Sequence, residues 1–157
     1  MHPDAVDPAV PGARKFLSFG LGGLEYGLDA DRVRELRPLT ALERVSNEGQ
    51  IVHGVALARG VIMPLVDMRV ALGTRPSAPD RLTDVIILQL SSCVMGMVVD
   101  SVSDVVALEA GQISPIAQRG VPDYLMGLGQ LEGRRLILVD IDMLMSVRRA
   151  EGARRAA

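Results

Sequence analysis

Short apolar runs of five to seven residues, broken by Gly, Pro and Asp, dominate the chain. Residues 16–21 (FLSFGL), 24–29 (LEYGLD), 54–58 (GVALA) and 61–66 (VIMPLV) read as strands. So do residues 84–90 (DVIILQL), 94–99 (VMGMVV), 105–109 (VVALE) and 135–139 (RLILV). β-Branched residues are frequent and turn signals recur at short intervals, which predicts an all-β barrel or sandwich. Two segments depart from this pattern. MRVAL follows Asp67 and ends before Gly73, and IDMLMSVRR follows Asp140 with Gly152 beyond it. Each predicts a short helix with an aspartate N-cap and a glycine past its end. TRPSAPD (74–80) is the clearest linker.

The pattern also repeats. YGLDADRVREL (26–36) aligns with MGMVVDSVSDV (95–105) at an offset of 69, from Gly27 to Gly96. At that offset Asp31 meets Asp100, Val33 meets Val102, Glu35 meets Asp104 and Leu36 meets Val105. The second halves align at an offset of 73: Gly54 with Gly127, Gly60 with Gly133 and Asp67 with Asp140. One loop insertion accounts for the changed offset. The duplication predicts two similar small barrels. A barrel of half this chain buries little surface alone, so the two are expected to share an apolar interface and form one cooperative unit.

One position breaks the repeat. Arg59, the only cation in GVALARGVIMPLVD (54–67), meets Glu132 in the second copy. Scaffold positions keep their apolar or glycine character while this one reverses charge. Arg59 is therefore either a solvated turn residue or an anchor for a partner, whose planar fork makes directed hydrogen bonds.

Composition narrows the chemistry. The 157 residues are 48% hydrophobic but only 3% aromatic, so the core must be aliphatic. A net charge of −2 argues against a nucleic-acid binder and against electrostatic membrane binding. An oligonucleotide-binding barrel would also need more stacking rings than Phe16, Phe19, Tyr26 and Tyr124. No run approaches the roughly 20 apolar residues of a membrane helix, and the Pro/Asp/Ala-rich start lacks a signal-peptide core. The expected location is cytoplasmic. Residues 1–14 read as a disordered tail, 15–147 as the folded domain and 148–157 as a helix end and tail.

Catalytic constellations are not found. His2 lies in the tail, His53 stands alone, and Cys93, the single cysteine, sits among apolar residues and reads as a buried filler. GLGGLE (20–25) and GLGQLE (127–132) lack the last glycine of a dinucleotide cradle and read as hairpin turns. Asp67 and Asp140 read as helix caps, and Asp31 and Asp100 as members of an equivalent turn. A small hydrolase using a carboxylate or Cys93 is the alternative of another class. A binding module fits the pattern better.

Four blocks in order, residues 16–36, 54–69, 94–108 and 124–145, resemble the CheW family of chemotaxis adaptors. The resemblance implies two five-stranded β-barrels packed side by side with exchanged strands. It implies no catalysis and no cofactor. The implied partners are a CheA-type histidine kinase, the cytoplasmic tip of transmembrane chemoreceptors and other CheW-like proteins in arrays. The family signature N-L-R-G appears here as Leu57, Ala58, Arg59 and Gly60, keeping Arg and Gly but not Asn and Leu. By resemblance Arg59 contributes to receptor and array contacts, with Gly54 and Gly60 shaping its loop. Val33, Glu35 and Val102 match the family's interaction region. The output is flagellar or another response such as pili, and the length leaves no room for a kinase or a receiver domain.

Overall fold

The structure is a computed structural model that describes residues 12–38, 43–46, 52–58, 61–68, 84–91, 93–117 and 119–145. Among the described residues, twelve strands form two six-stranded sheets. In chain order they are β1 (Arg14–Leu21), β2 (Leu24–Asp29), β3 (Val33–Pro38), β4 (Glu43–Ser46), β5 (Val52–Ala58) and β6 (Val61–Asp67). The second half contributes β7 (Asp84–Gln89), β8 (Val94–Val99), β9 (Ser101–Leu108), β10 (Ile113–Ser114), β11 (Leu125–Leu131) and β12 (Arg134–Val139). The first sheet runs β9-β1-β2-β12-β11-β10 and the second β3-β7-β8-β6-β5-β4.

The duplication is visible in this order. Replacing each strand by its repeat partner turns one sheet into the other. The registers agree residue by residue. β12 pairs with β2 in parallel with Leu138 opposite Gly27, and β6 pairs with β8 in parallel with Leu65 opposite Gly96. Both offsets of the sequence repeat are reproduced in that one comparison. Each sheet also takes an edge strand from the other's hairpin. β3 leaves β2 to pair with β7, and β9 leaves β8 to pair with β1. The halves are thus interlocked by backbone hydrogen bonds.

Strand alternation sorts the side chains into three cores. Leu17, Phe19, Leu21, Tyr26 and Leu28 of the first sheet meet Ile86, Leu88, Met95, Met97 and Val99 of the second in a shared seam. Phe19 and Tyr26 stack there with ring centroids 5.7 Å apart. The opposite faces make smaller cores. Phe16, Val106, Leu108, Leu136 and Leu138 fill the first, and Met63, Leu65, Val85, Ile87 and Val98 fill the second. Successive residues of β1 and β7 therefore face different cores, as the two-residue period requires.

The seam extends to the segment after β12. Residues 141–145 are helical, and the Asp140 carboxylate accepts from the Met143 N–H at 3.0 Å, the N-cap expected from the sequence. Ile141, Leu144 and Met145 are buried in the seam. Met68, after Asp67, is helical, and the rest of the helix expected there lies outside the described residues.

Other expectations need amendment. The β1–β2 turn falls at Gly22 and Gly23, both with positive φ (58° and 82°), as read. Of GLGQLE only Glu132 lies in a turn, together with the following Gly133, while the rest belongs to β11. The strand is glycine-rich because it is crowded. A Cβ on Gly127 would lie 2.7 Å from the Ser114 carbonyl oxygen, and one on Gly129 would lie 2.5 Å from Leu108 Cδ1. The apolar pattern marks no strand at β3, whose sequence VRELRP carries three charges. Cys93 is half-buried at the margin of the seam rather than fully buried.

Candidate functional site

The two exchanged strands are sheet edges, and they border a groove. Leu17 and Lys15 of β1, Ala30 and Asp31 of the β2–β3 turn, Val33 and Leu36 of β3, and Val105 of β9 line about 280 Å³. Edge strands offer unpaired backbone groups, so proteins usually blunt them with charge or bulges. Here each edge also exposes an apolar residue. Leu36 is 46% exposed and Val105 45%, and the two are repeat partners. Scattered exposed aliphatics are ordinary, but two equivalent ones beside the same groove form a patch.

Bulges set the direction of these side chains. On β9 the register steps between Leu17–Val105 and Phe19–Val102, so Ser103 and Asp104 together oppose Ser18. On β3 it steps between Val33–Leu88 and Glu35–Ile87, the same place in the repeat. The extra residue keeps Val33 and Leu36, and likewise Val102 and Val105, on the seam-side face although they are three positions apart. Val33 and Val102 pack against the seam core, while Leu36 and Val105, farther along the edges, are exposed.

The backing of the two walls differs in polarity. Behind β9, the Arg134 guanidinium donates from Nη1 and Nη2 to both Asp104 oxygens, at 3.1 and 2.8 Å. It also donates from Nε to Glu25 at 3.1 Å, with a second, short contact from Nη2 to the same carboxylate. Ser18, fully buried, donates to Glu25 and accepts from Arg134 at 3.3 Å. Hydrogen bonds from Arg134 hold the carboxyls of Glu25 and Asp104 below their usual range, and the pair raises the Arg134 pKa further. Behind β3, Glu35 accepts from Arg37 Nε at 2.6 Å. The repeat partners of Ser18 and Glu25 are Ile87 and Val94, both part of an apolar cluster.

Polar links join the walls to the rest of the molecule. The Asp84 carboxylate of β7 accepts from the Val102 N–H at 3.1 Å, bridging the sheets. Arg32, in the turn before β3, pairs with Asp142 at 2.7 Å, and Asp142 also accepts from the Ser91 N–H and hydroxyl. Asp100 accepts from the Gly22 N–H at 2.9 Å, and Asp31 lies in the turn formed by residues 30–32. Both aspartates thus occupy turns, in equivalent places.

Of the residues singled out in the sequence, Val33 lines the groove, and Val102 and Glu35 flank it on β9 and β3. Gly54 lies on β5 at a register step between Val52 and Val55, matching the step beside Gly127 on β11. Arg59 and Gly60 lie outside the described residues, bracketed by the Ala58–Val61 pair. The sequence reading missed Leu36 and Val105 as site residues, although it had paired them across the repeat. A single leucine between Glu35 and Arg37 on a charged strand was the available signal. Among the described residues no group of three His, Cys, Asp or Glu side chains could hold a metal ion, and no helix is long and apolar enough to cross a membrane.

Comparison with known proteins agrees with this architecture. The family model of the CheW-like domain matches residues 15–149. The Chemotaxis protein CheW of Klebsiella aerogenes is 43% identical over 136 residues, covering 85% of this chain and 82% of the relative. That of Rhizobium meliloti is 30% identical over 145 residues, covering 90% and 94%. The crystal structure of the scaffolding protein TtCheW from Thermoanaerobacter tengcongensis superposes with a TM-score of 0.73 at 21% identity, covering 84% of this chain and 92% of that one. With its interlocked pair of sheets and a match that spans nearly all of both, the chain belongs to the CheW family of non-catalytic chemotaxis scaffold proteins.

Proposed function

We propose that this protein couples the cytoplasmic hairpin tip of transmembrane chemoreceptors to a CheA-type histidine kinase, acting in the cytoplasm at membrane receptor arrays. The observation that supports this most is the groove between edge strands β3 and β9, with Leu36 and Val105 exposed on its walls. A helical tip carrying an apolar stripe suits such a groove, because apolar anchors at the centre of an interface carry most of its energy. Val33, Glu35 and Val102 support the walls. Arg59, Gly60 and Gly54, on or beside the β5–β6 hairpin, are proposed to make further receptor or array contacts. Interfaces of this kind are individually weak and gain strength from repetition in a lattice.

The test is reconstitution of purified protein, a chemoreceptor cytoplasmic fragment and a CheA-type kinase. The protein is expected to co-sediment with both and to raise receptor-dependent kinase activity. Replacing Leu36 by Asp should abolish receptor co-sedimentation. A Leu36→Asp protein that assembles and activates as well as the parent refutes the groove as the receptor site.

A further inference from the structure

The polar backing of the β9 wall has no repeat counterpart. Three of its four members change character across the duplication. Ser18 becomes Ile87, Glu25 becomes Val94 and Arg134 becomes Val61, while only Asp104 keeps a carboxylate, as Glu35. A scaffold requirement common to both barrels would not need this set, since the other barrel is closed by aliphatic side chains.

The geometry of the set singles out β9. That strand is an edge, hydrogen-bonded on one side to β1. Its bulge directs Asp104 away from the groove and toward Arg134, while the next residue, Val105, faces the groove. Arg134 stands on β12, separated from β9 by β2 and β1. One guanidinium therefore grips β2 through Glu25 and β9 through Asp104, in both cases with two nitrogens. Such a planar bidentate fork restricts direction as well as distance, unlike a point charge. The network is only partly open to water, with side-chain exposures of 33% for Arg134, 25% for Glu25 and 52% for Asp104.

We infer that Arg134 is a positioning residue: by clamping Asp104 it holds the bulge of β9, and with it Val105, in the form that the groove's partner meets. The functional half of this inference rests on the groove being the receptor site. The mechanical half does not.

The experiment reads both halves. Backbone hydrogen exchange is measured on the full chain for the parent, Arg134→Gln, Arg134→Lys and Asp104→Asn, together with binding of a chemoreceptor tip fragment. Exchange in residues 102–106 should quicken about fivefold in Arg134→Gln and Asp104→Asn, the size of effect expected for a partly screened ion pair. Residues 33–38 of β3 should keep their rate. Affinity should fall about threefold to fivefold in the same two variants. Arg134→Lys keeps the charge but not the fork, and should lie between parent and Gln. Asp104→Asn changes a half-exposed side chain without altering its volume, so it keeps the test open if Arg134→Gln unfolds. Unchanged β9 exchange in Asp104→Asn, or equal acceleration of β3 and β9, overturns the clamp. Faster β9 exchange with undiminished affinity overturns its positioning role. Faster β9 exchange in a protein whose parent form does not bind the fragment supports the clamp and refutes the receptor reading instead.

Discussion

Truncating the two exposed groove residues gives the most direct measure of the site. Full burial of a leucine or valine side chain stabilises by roughly 1.5–3 kcal/mol. Leu36 is 46% exposed and Val105 45%, so a partner can cover just under half of each. The share available for binding is then about 1 kcal/mol per residue, or about fivefold in affinity. The double variant Leu36→Ala, Val105→Ala should lose about 25-fold if the two act independently. They line one groove, so some departure from additivity is expected. Just over half of each side chain is already covered in the free protein, so on the same scale the double variant should also lose about 2 kcal/mol of folding stability. Calorimetric titration with a chemoreceptor tip fragment reads the first quantity, and urea unfolding reads the second. A double variant that remains folded and binds within twofold of the parent refutes the assignment of the groove.

Three further outcomes follow from the same structure. A Cβ on Gly96 would lie 2.5 Å from Leu65 Cδ2 and 3.0 Å from Val85 Cγ1, both side chains fully buried, whereas at Gly27 the nearest atom is 3.0 Å away. Gly96→Ala should therefore lose about 1–2 kcal/mol by overpacking and Gly27→Ala less, in denaturant melts that would show equal stability if the two parallel seams were equally roomy. Glu25 and Asp104 have depressed folded-state pKa values, chiefly through hydrogen bonds from Arg134, so their stabilisation is present above the ordinary carboxylate values of 4.5 and 3.8 and is lost as pH falls below them. Melting temperature should thus fall from pH 5 to pH 3 more steeply in the parent than in Arg134→Gln, and parallel profiles would contradict this. Arg59→Glu should leave circular dichroism unchanged but weaken recovery of the protein with receptor arrays, and full recovery would remove Arg59 from the contact surface.

The all-β class, the duplication and the Asp140 cap were legible in the sequence because each depends on local rules. Alternation writes strands, a carboxylate before a short apolar stretch writes a cap, and paired glycines write a turn. The two offsets made Gly27 equivalent to Gly96 and Leu65 to Leu138, but the parallel pairing of Gly27 with Leu138 and of Gly96 with Leu65 came only with the tertiary structure. Strands β3 and β11 were not legible. The first is a charged edge whose partner lies about 50 residues away on β7, and the second is rich in glycine because β10 and Leu108 crowd it. The site followed the same division. Val33, Glu35 and Val102 came from the repeat and the family resemblance, which mark positions but not directions. Which apolar residues are exposed depended on two bulges and on the exchange of β3 and β9 between sheets. Arg134, Glu25, Asp104 and Ser18 are spread over more than a hundred positions of the chain. Only the order of strands across the first sheet brings them together, since no local pattern encodes which strand will lie beside which.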